Sequence, residues 1–131
     1  MRIPLKSDYA LRAAGVIARS WPEGRVRAED IATAEGLPIT YLDTILANLR
    51  VAGILRGRRG YHGGYLLDRA PHEITVAEIL RAVDCPLVAE PDSLKGSPVA
   101  ALWSAVEVSI GAVLADCSLA DLAELTDRRR P

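Results

Sequence analysis

The sequence predicts a mainly helical protein with one small β-hairpin, and three observations support this prediction. First, the apolar residues Leu42, Ile45, Leu46 and Leu49 recur at helical spacing, so one face of this helix packs and the opposite face is free. Second, a turn with the sequence EGLP, at residues 35–38, separates this helix from a shorter helical segment before it. Third, two short strand-like runs surround the glycine-rich loop GRRGYHGG. This order predicts a winged helix-turn-helix domain followed by a long C-terminal helix.

Capping residues and apolar spacing place the other elements. Ser7 can cap a first helix, Thr75 can cap the helix after the hairpin, and Ser97 with Pro98 can begin the long helix. In chain order, we expect helices over 7–19, 28–34 and from 39, strands over 54–56 and 65–67, a helix within 74–84, and a helix over 98–116. The predicted division is a DNA-binding domain over 1–85, a connecting loop over 86–97, and a dimerisation helix with a short terminal helix over 98–127.

The long helix carries more apolar surface than a small domain can cover. Glu107 and Asp116 are its only charged residues. A second copy of the chain is therefore the expected partner, and the alternative is that the helix folds back on its own domain. The predicted dimer interface consists of Leu102, Trp103, Val106, Ile110, Val113 and Leu114.

Composition and charge restrict the possible functions. Half of the 131 residues are hydrophobic, which is enough for one ordinary core. No run reaches the roughly 20 uninterrupted apolar residues of a membrane span, and the first residues lack a secretory pattern, so we expect a cytoplasmic protein without a membrane partner. Residues 1–69 contain eleven Lys or Arg against seven Asp or Glu, whereas residues 70–127 contain two against ten. The basic first half fits phosphate contact, and the acidic second half should point away from it.

The free face of the third helix and the hairpin predict a partner with many phosphates. Thr40, Asp43 and Thr44 lie opposite the apolar stripe, and Gly53 stops the helix just before the arginine-rich loop. This shape indicates double-stranded DNA. An adaptor that uses the same surface to bind protein is the alternative function. An enzyme is not expected, because His62 and His72 have no paired nucleophile, carboxylate dyad or phosphate loop.

Several motifs, in order, resemble a known family. They are DYALRA, EDIATAEGLPITYLDTILANLRVAG, RRGYHGGYLL, EITVAEILRAVD, ALW and SLADL. The chain resembles the Rrf-two family of bacterial winged helix-turn-helix transcriptional regulators, of the IscR, NsrR and CymR type. The resemblance implies a homodimer, built by crossing the long helices, that binds a palindromic operator with two recognition helices and two wings. We expect the regulator to be a repressor.

The resemblance also assigns roles to single residues. Thr40, Asp43 and Thr44 occupy the positions that face base edges, where Asp43 can accept a hydrogen bond from a cytosine amino group. Tyr41 and Arg50 fit phosphate contact or packing, and Arg59 matches the wing arginine that enters the minor groove. The remaining expected contacts, which add affinity from the DNA backbone, belong to Arg56, Arg58 and His62.

The sequence departs from the resembled family in the loop that binds an iron–sulfur cluster in some of its members. Cluster-binding relatives carry three cysteines in the loop before the ALW helix, and the corresponding loop here, about residues 86–98, has none. We therefore expect no cofactor, although Cys85 with Asp8 of a second subunit forms a conceivable cluster site that is poor in thiolates. Oxidation of Cys85 or Cys117 is a second possible switch. A small effector or a partner protein is the favoured signal, as in family members without a cluster.

Overall fold

The computed structural model describes residues 3–58, 63–84 and 96–129, although not the side chains of 58 and 125–129. The predicted fold class is confirmed, since the described residues form helices and one antiparallel hairpin. The elements are α1 (Leu5–Arg19), α2 (Ala28–Glu35), α3 (Ile39–Val51), β1 (Leu55–Arg58), β2 (Gly64–Leu67), a 3-10 turn (Pro71–Glu73), α4 (Val76–Ala82), α5 (Pro98–Asp116) and α6 (Leu119–Arg129).

Helix α1 is the centre of the core. Its alanines, Ala10, Ala13 and Ala14, are fully buried, and their small side chains let the other helices approach closely. The helix packs against α2, α3, α4, α6 and β2. The predicted start at Ser7 is wrong, because the helix begins at Leu5 and Ser7 is buried within it. The Ser7 hydroxyl therefore does not cap the helix.

The helix-turn-helix forms as predicted. Helix α2 ends at Glu35 and is capped by Gly36, whose φ of 64° is the left-handed conformation that glycine adopts at little cost. The next residues lead directly into α3, whose four predicted apolar side chains are all buried. Because these side chains anchor one face of α3 to α1, the opposite face is turned to solvent.

The hairpin is longer than predicted and is joined by a third extended segment. Leu55 pairs with Leu67 and Arg58 with Gly64 across the two strands. Val26, just before α2, pairs with Tyr65 through two backbone hydrogen bonds of 2.8 and 2.7 Å. The chain before the helix-turn-helix is therefore attached to the hairpin that follows it.

Two of the predicted caps are confirmed. The Thr75 hydroxyl accepts a hydrogen bond from the backbone of Glu78, whose carboxylate accepts one from the backbone of Thr75, so α4 begins with a complete capping box. The Ser97 hydroxyl accepts a hydrogen bond from the backbone of Val99 at the start of α5. Helix α4 is shorter than the segment predicted for it, and it ends before Asp84, which has a φ of 48°.

The start of α6 is fixed to the start of α4 by backbone hydrogen bonds. The amide of Val76 donates to the carbonyl of Cys117, and the amide of Leu119 donates to the carbonyl of Ile74. Leu119 itself is fully buried, and α6 packs against α1. The C-terminal end of α5 is thus attached to the core, while most of α5 is not covered by it.

Helix α5 has no buried residue along its 19 positions. Its main packing is against α4. The exposed side chains include Leu102, Trp103 and Val113, whereas Val106, Ile110 and Leu114 are half-buried. By length and composition alone, with a mean hydropathy of 1.7, it is the one helix among the described residues that could cross a membrane. Ser104, Glu107 and Ser109 interrupt its apolar residues, so the expectation that no uninterrupted apolar run of about 20 residues occurs still holds.

Candidate nucleic-acid interface

The exposed face of α3 presents four of the predicted contact residues together. Thr40, Tyr41, Asp43 and Thr44 are all exposed, and they occupy the first two turns of the helix. Threonine hydroxyls and a carboxylate can hydrogen-bond to base edges in a major groove. The face is polar and projects from a packed core, which is the arrangement that a recognition helix requires.

The ring of Tyr41 packs against an aromatic side chain of α1, that of Tyr9. The two rings meet edge to face, with 5.6 Å between the ring centroids. The guanidinium carbon of Arg12 lies 6.0 Å from the centroid of the Tyr9 ring. Tyr41 therefore has a packing role on α1 while part of its side chain stays exposed.

Arg50 connects α3 to the hairpin. A Cβ atom placed on Gly57 would lie 3.5 Å from Cδ of Arg50 and 3.4 Å from the ring of Tyr65. The missing side chain of Gly57 thus gives room to the arginine stem and to the tyrosine ring. Arg50 remains exposed, so its position beside the hairpin suits a phosphate contact.

Arg56 is paired within the protein. Its Nε atom donates to the carboxylate of Asp68, just beyond β2, although the arginine side chain remains largely exposed. Part of its charge is therefore compensated, which reduces the phosphate attraction that the sequence predicts for it. The side chain of Arg58 lies outside the described residues, as do Arg59 and His62. Their contacts with DNA stay predictions.

Two further arginines next to the hairpin were missed by the sequence interpretation. Arg25 and Arg27 flank Val26, and both are exposed while Val26 is buried. The Nε atom of Arg27 lies 3.9 Å from the carboxylate of Glu29, a weak contact between exposed groups. The signal was the alternating sequence RVR, which has the period of a strand with one buried face.

The family is decided by the comparison with known proteins. The model of the Rrf2 family, described as "Iron-dependent Transcriptional regulator", matches residues 3–125. The chain belongs to the Rrf2 family. It is thus a winged helix-turn-helix, DNA-binding transcriptional regulator, and the predicted resemblance is confirmed.

Curated relatives of this Rrf2-family protein are also named transcriptional regulators. An HTH-type transcriptional regulator of Mycobacterium tuberculosis is 38% identical over 131 residues, covering 94% of this chain and 81% of the relative. The HTH-type transcriptional regulator CymR of Bacillus subtilis is 32% identical over 129 residues, covering 97% of this chain and 93% of the relative. These names describe regulators of transcription and not enzymes.

Solved structures of Rrf2-family relatives have the same architecture. The structure of CymR, named the global cysteine regulator of B. subtilis, superimposes with a TM-score of 0.84 at 30% identity, covering 95% of this chain and 98% of CymR. The structure of T. potens IscR gives a TM-score of 0.83 at 31% identity, covering 100% of this chain and 93% of IscR. Strands β1 and β2 therefore correspond to the wing hairpin of this fold, and α3 is the second helix of the helix-turn-helix.

The side chains that the structure describes do not fit the iron named in the family description. Among the described residues, no group of three or more His, Cys, Asp or Glu side chains lies close enough to hold a metal ion. The carboxylate of Asp8 lies 3.3 Å from the guanidinium of Arg12, which competes with metal ligation. Cys85 lies outside the described residues, and Cys117 directly follows the C-terminal end of α5. Each chain has two cysteines, fewer than the four thiolates that hold a usual iron–sulfur cluster.

Cys117 is expected to react slowly. Burial raises the pKa of its thiol, and the nearby carboxylates of Asp121 and Asp116 raise it further. The thiolate fraction near neutral pH is therefore smaller than for an ordinary cysteine, and the thiolate is the reactive form. Alkylation by iodoacetamide at pH 7.5, followed by peptide mass spectrometry, should label Cys117 more slowly in the folded protein than in urea.

The raised pKa of Cys117 also fixes the sign of a pH effect. A folded-state pKa above the unfolded value means that the native protein holds this proton to higher pH, so its stability should fall as the pH rises above the usual range of a thiol. Cys117→Ser should remove this part of the alkaline decline in the free energy of unfolding. Equal alkylation rates in native and unfolded protein would contradict the assignment.

Proposed function

We propose that this Rrf2-family protein is a homodimeric, sequence-specific repressor that binds a palindromic operator in the cytoplasm. The observation that carries the proposal is the polar, exposed face of α3, whose opposite face packs against α1 and which lies beside strand β1 of the wing. This face supports base recognition, and the wing supports contact with the adjacent groove. The family supports the general role of a transcriptional regulator.

The uncovered surface of α5 supports the dimer. An apolar helix with none of its residues buried is unfavourable in water, and a second copy of the same helix can cover it symmetrically. The six predicted interface residues include both the exposed and the half-buried positions of this helix. A two-fold dimer places two recognition helices in successive turns of the major groove, which explains why a palindrome is expected.

We further propose that the protein acts without an iron–sulfur cluster. The available ligands support this proposal, since Asp8 is paired with Arg12 and each chain has only two cysteines for a cluster that usually takes four. The raised pKa of Cys117 argues against that residue as a fast thiol switch. A small effector or a partner protein is therefore the favoured signal.

The test is a selection of genomic fragments bound by the purified protein. Enrichment of one inverted-repeat sequence is expected, with an affinity that falls steeply as salt increases, because phosphate contacts release counterions. The visible absorption spectrum of the anaerobic sample, recorded first, should lack the bands of a cluster. A folded dimer that enriches no sequence would instead favour the protein-binding adaptor.

Asp43 should control the choice of one base pair. Asp43→Asn is expected to change discrimination at that position by about 1–3 kcal/mol, because an amide offers both a donor and an acceptor where a carboxylate only accepts. Binding of all single-base operator variants, measured by fluorescence anisotropy, gives the readout. Asp84→Asn is the matched control, because Asp84 is also exposed but lies in the turn after α4. The same base preference in the parent and in Asp43→Asn would show that α3 is wrongly placed on DNA.

A further inference from the structure

A cleft lies between α1, the end of α2 and α6. Its volume is about 260 Å³, which is the size of a small organic molecule. Leu11, Leu122 and Ala123 contribute apolar walls, and the charged groups at its edge are those of Asp8, Arg12, Arg19 and Glu35. None of the described residues of the predicted DNA face lines it.

Gly15 lies in the wall of this cleft and has no packing reason to be glycine. It occupies the middle of α1, where glycine is a poor helix former. A Cβ atom placed on it would meet nothing within 4 Å, so no neighbour excludes a side chain. The φ angle of Gly15 is also not positive, so backbone conformation does not demand glycine. The absent side chain keeps space open in the cleft.

The arginines at the edge of the cleft do not have acceptors for all of their hydrogen-bond donors among the described residues. Glu35 is shared between two arginines, with 3.4 Å from Arg12 Nε and 3.7 Å from Arg19 Nη2 to its carboxylate oxygens. Arg12 has further partners, since it donates to the Glu35 carbonyl and contacts Asp8. For Arg19, the long contact with Glu35 is the one polar side-chain contact among the described residues. Most donors of the Arg19 guanidinium are therefore open to an incoming anion.

We propose that this cleft binds a small aliphatic carboxylate as the effector. Its carboxylate pairs with Arg19, because a guanidinium matches the two oxygens of a carboxylate. Its hydrocarbon part lies over Gly15 and against Leu11 and Leu122, where burial removes apolar surface from water. The ligand class follows from the chemistry of the lining: Arg12 is already paired with both carboxylates of the cleft, Asp8 and Glu35, whereas Arg19 has donors open beside the apolar side chains of Leu11 and Leu122.

The site has a direct route to the DNA-binding helices. Glu35 is the last residue of α2, and Gly36 begins the turn that leads into α3. A carboxylate bound to the open donors of Arg19 adds a negative charge beside Glu35 and so disturbs the pairing of Glu35 with Arg12 and Arg19 at this turn. This regulatory part rests on the proposed function, whereas binding in the cleft does not.

Hexanoate is the probe, with hexanamide as its uncharged counterpart. In an NMR titration of the labelled full chain without DNA, hexanoate at millimolar concentrations should shift the amides of Gly15 and Glu35 together. Hexanamide should bind at least about tenfold more weakly, because it lacks the charge-assisted bond. Shifts scattered over the surface, or no shifts, would overturn the proposal.

Variants localise the binding. Arg19→Gln should reduce hexanoate affinity to that of hexanamide, whereas Arg27→Gln, which alters an exposed arginine outside the cleft, should leave it unchanged. Gly15→Leu should abolish hexanoate binding, because its side chain fills the space over Gly15. Gly15→Ala adds only a methyl group to the same helix position and should weaken binding less. Equal affinity in the parent and Arg19→Gln contradicts the site.

The coupling is tested on the operator. Hexanoate should change operator affinity in the parent and not in Arg19→Gln, and equal affinity with and without hexanoate in the parent would overturn the effector role. A chain that binds hexanoate in the cleft but binds no DNA would refute the proposed function and leave the site standing. A chain that binds its operator but shows no hexanoate shifts would do the reverse.

Discussion

Gly64→Ala is expected to lower the free energy of unfolding by about 3 kcal/mol, because the new side chain meets backbone that cannot move away. Gly64 has a φ of 134°, a conformation that residues with a side chain rarely adopt. A Cβ atom there would lie 2.9 Å from the carbonyl oxygen of Val26 and 3.0 Å from its carbonyl carbon. Val26 is held in place by its two hydrogen bonds with Tyr65. The substitution must therefore break the attachment of the wing to the segment before α2.

Urea denaturation followed by circular dichroism measures this loss. Gly57→Ala is the matched control, because Gly57 lies on the other strand of the wing and its added Cβ would make ordinary contacts of 3.4 Å or more. Operator affinity should also fall in Gly64→Ala, since the wing loses its fixed position. Similar unfolding midpoints for the two variants would mean that the contact between Val26 and the wing is looser than the structure indicates.

Val113→Glu is expected to convert the dimer to a monomer and to weaken operator binding by about 100-fold or more. The loss of affinity follows because two linked half-sites bind far more tightly than one. Val113 is 68% exposed within one chain, so the charge should not disturb the fold of the protomer. In a dimer it would lie against the second apolar helix, where an unpaired carboxylate is costly.

Sedimentation equilibrium gives the mass of each variant in solution. Val51→Glu is the matched control, because Val51 is 84% exposed but lies at the end of α3 and not on the dimer helix. It should retain the dimer mass. Ile110→Glu, at a half-buried position of the same helix, should repeat the effect of Val113→Glu. A dimer that persists in both α5 variants would remove α5 from the interface.

The sequence predicted those features that depend on local spacing and local hydrogen bonds. The buried stripe of α3 follows from apolar periodicity, and the Thr75 and Ser97 caps involve groups within three residues of each other. The start of α1 was wrong, because burial of Ser7 in the core overrides its preference for a cap. Packing decided that position, and packing is not visible in a local pattern.

The sequence predicted the part of the candidate DNA interface that lies on α3, but only some of the residues around the wing. The exposed residues of α3 follow from the same periodicity that buries the opposite face. The position of Arg25 and Arg27 beside the wing depends on the pairing of Val26 with Tyr65, which are 39 positions apart in the sequence. The pairing of Arg56 with Asp68 likewise depends on the register of the two strands. Such contacts join distant segments, and one sequence without relatives gives no signal for them.

The hydrogen bonds between the start of α4 and the start of α6 affect which parts of the sequence can change during evolution without loss of the fold. Both bonds join main-chain groups, those of Val76 with Cys117 and of Leu119 with Ile74. Most side-chain replacements at these positions keep such bonds, since every residue except proline has the same amide and carbonyl. The exposed surface of α5 can therefore acquire new pairing preferences while its attachment to the DNA-binding end is inherited unchanged. In the dimer proposed above, duplicated copies of such a gene could in this way stop forming mixed dimers before their operators differ.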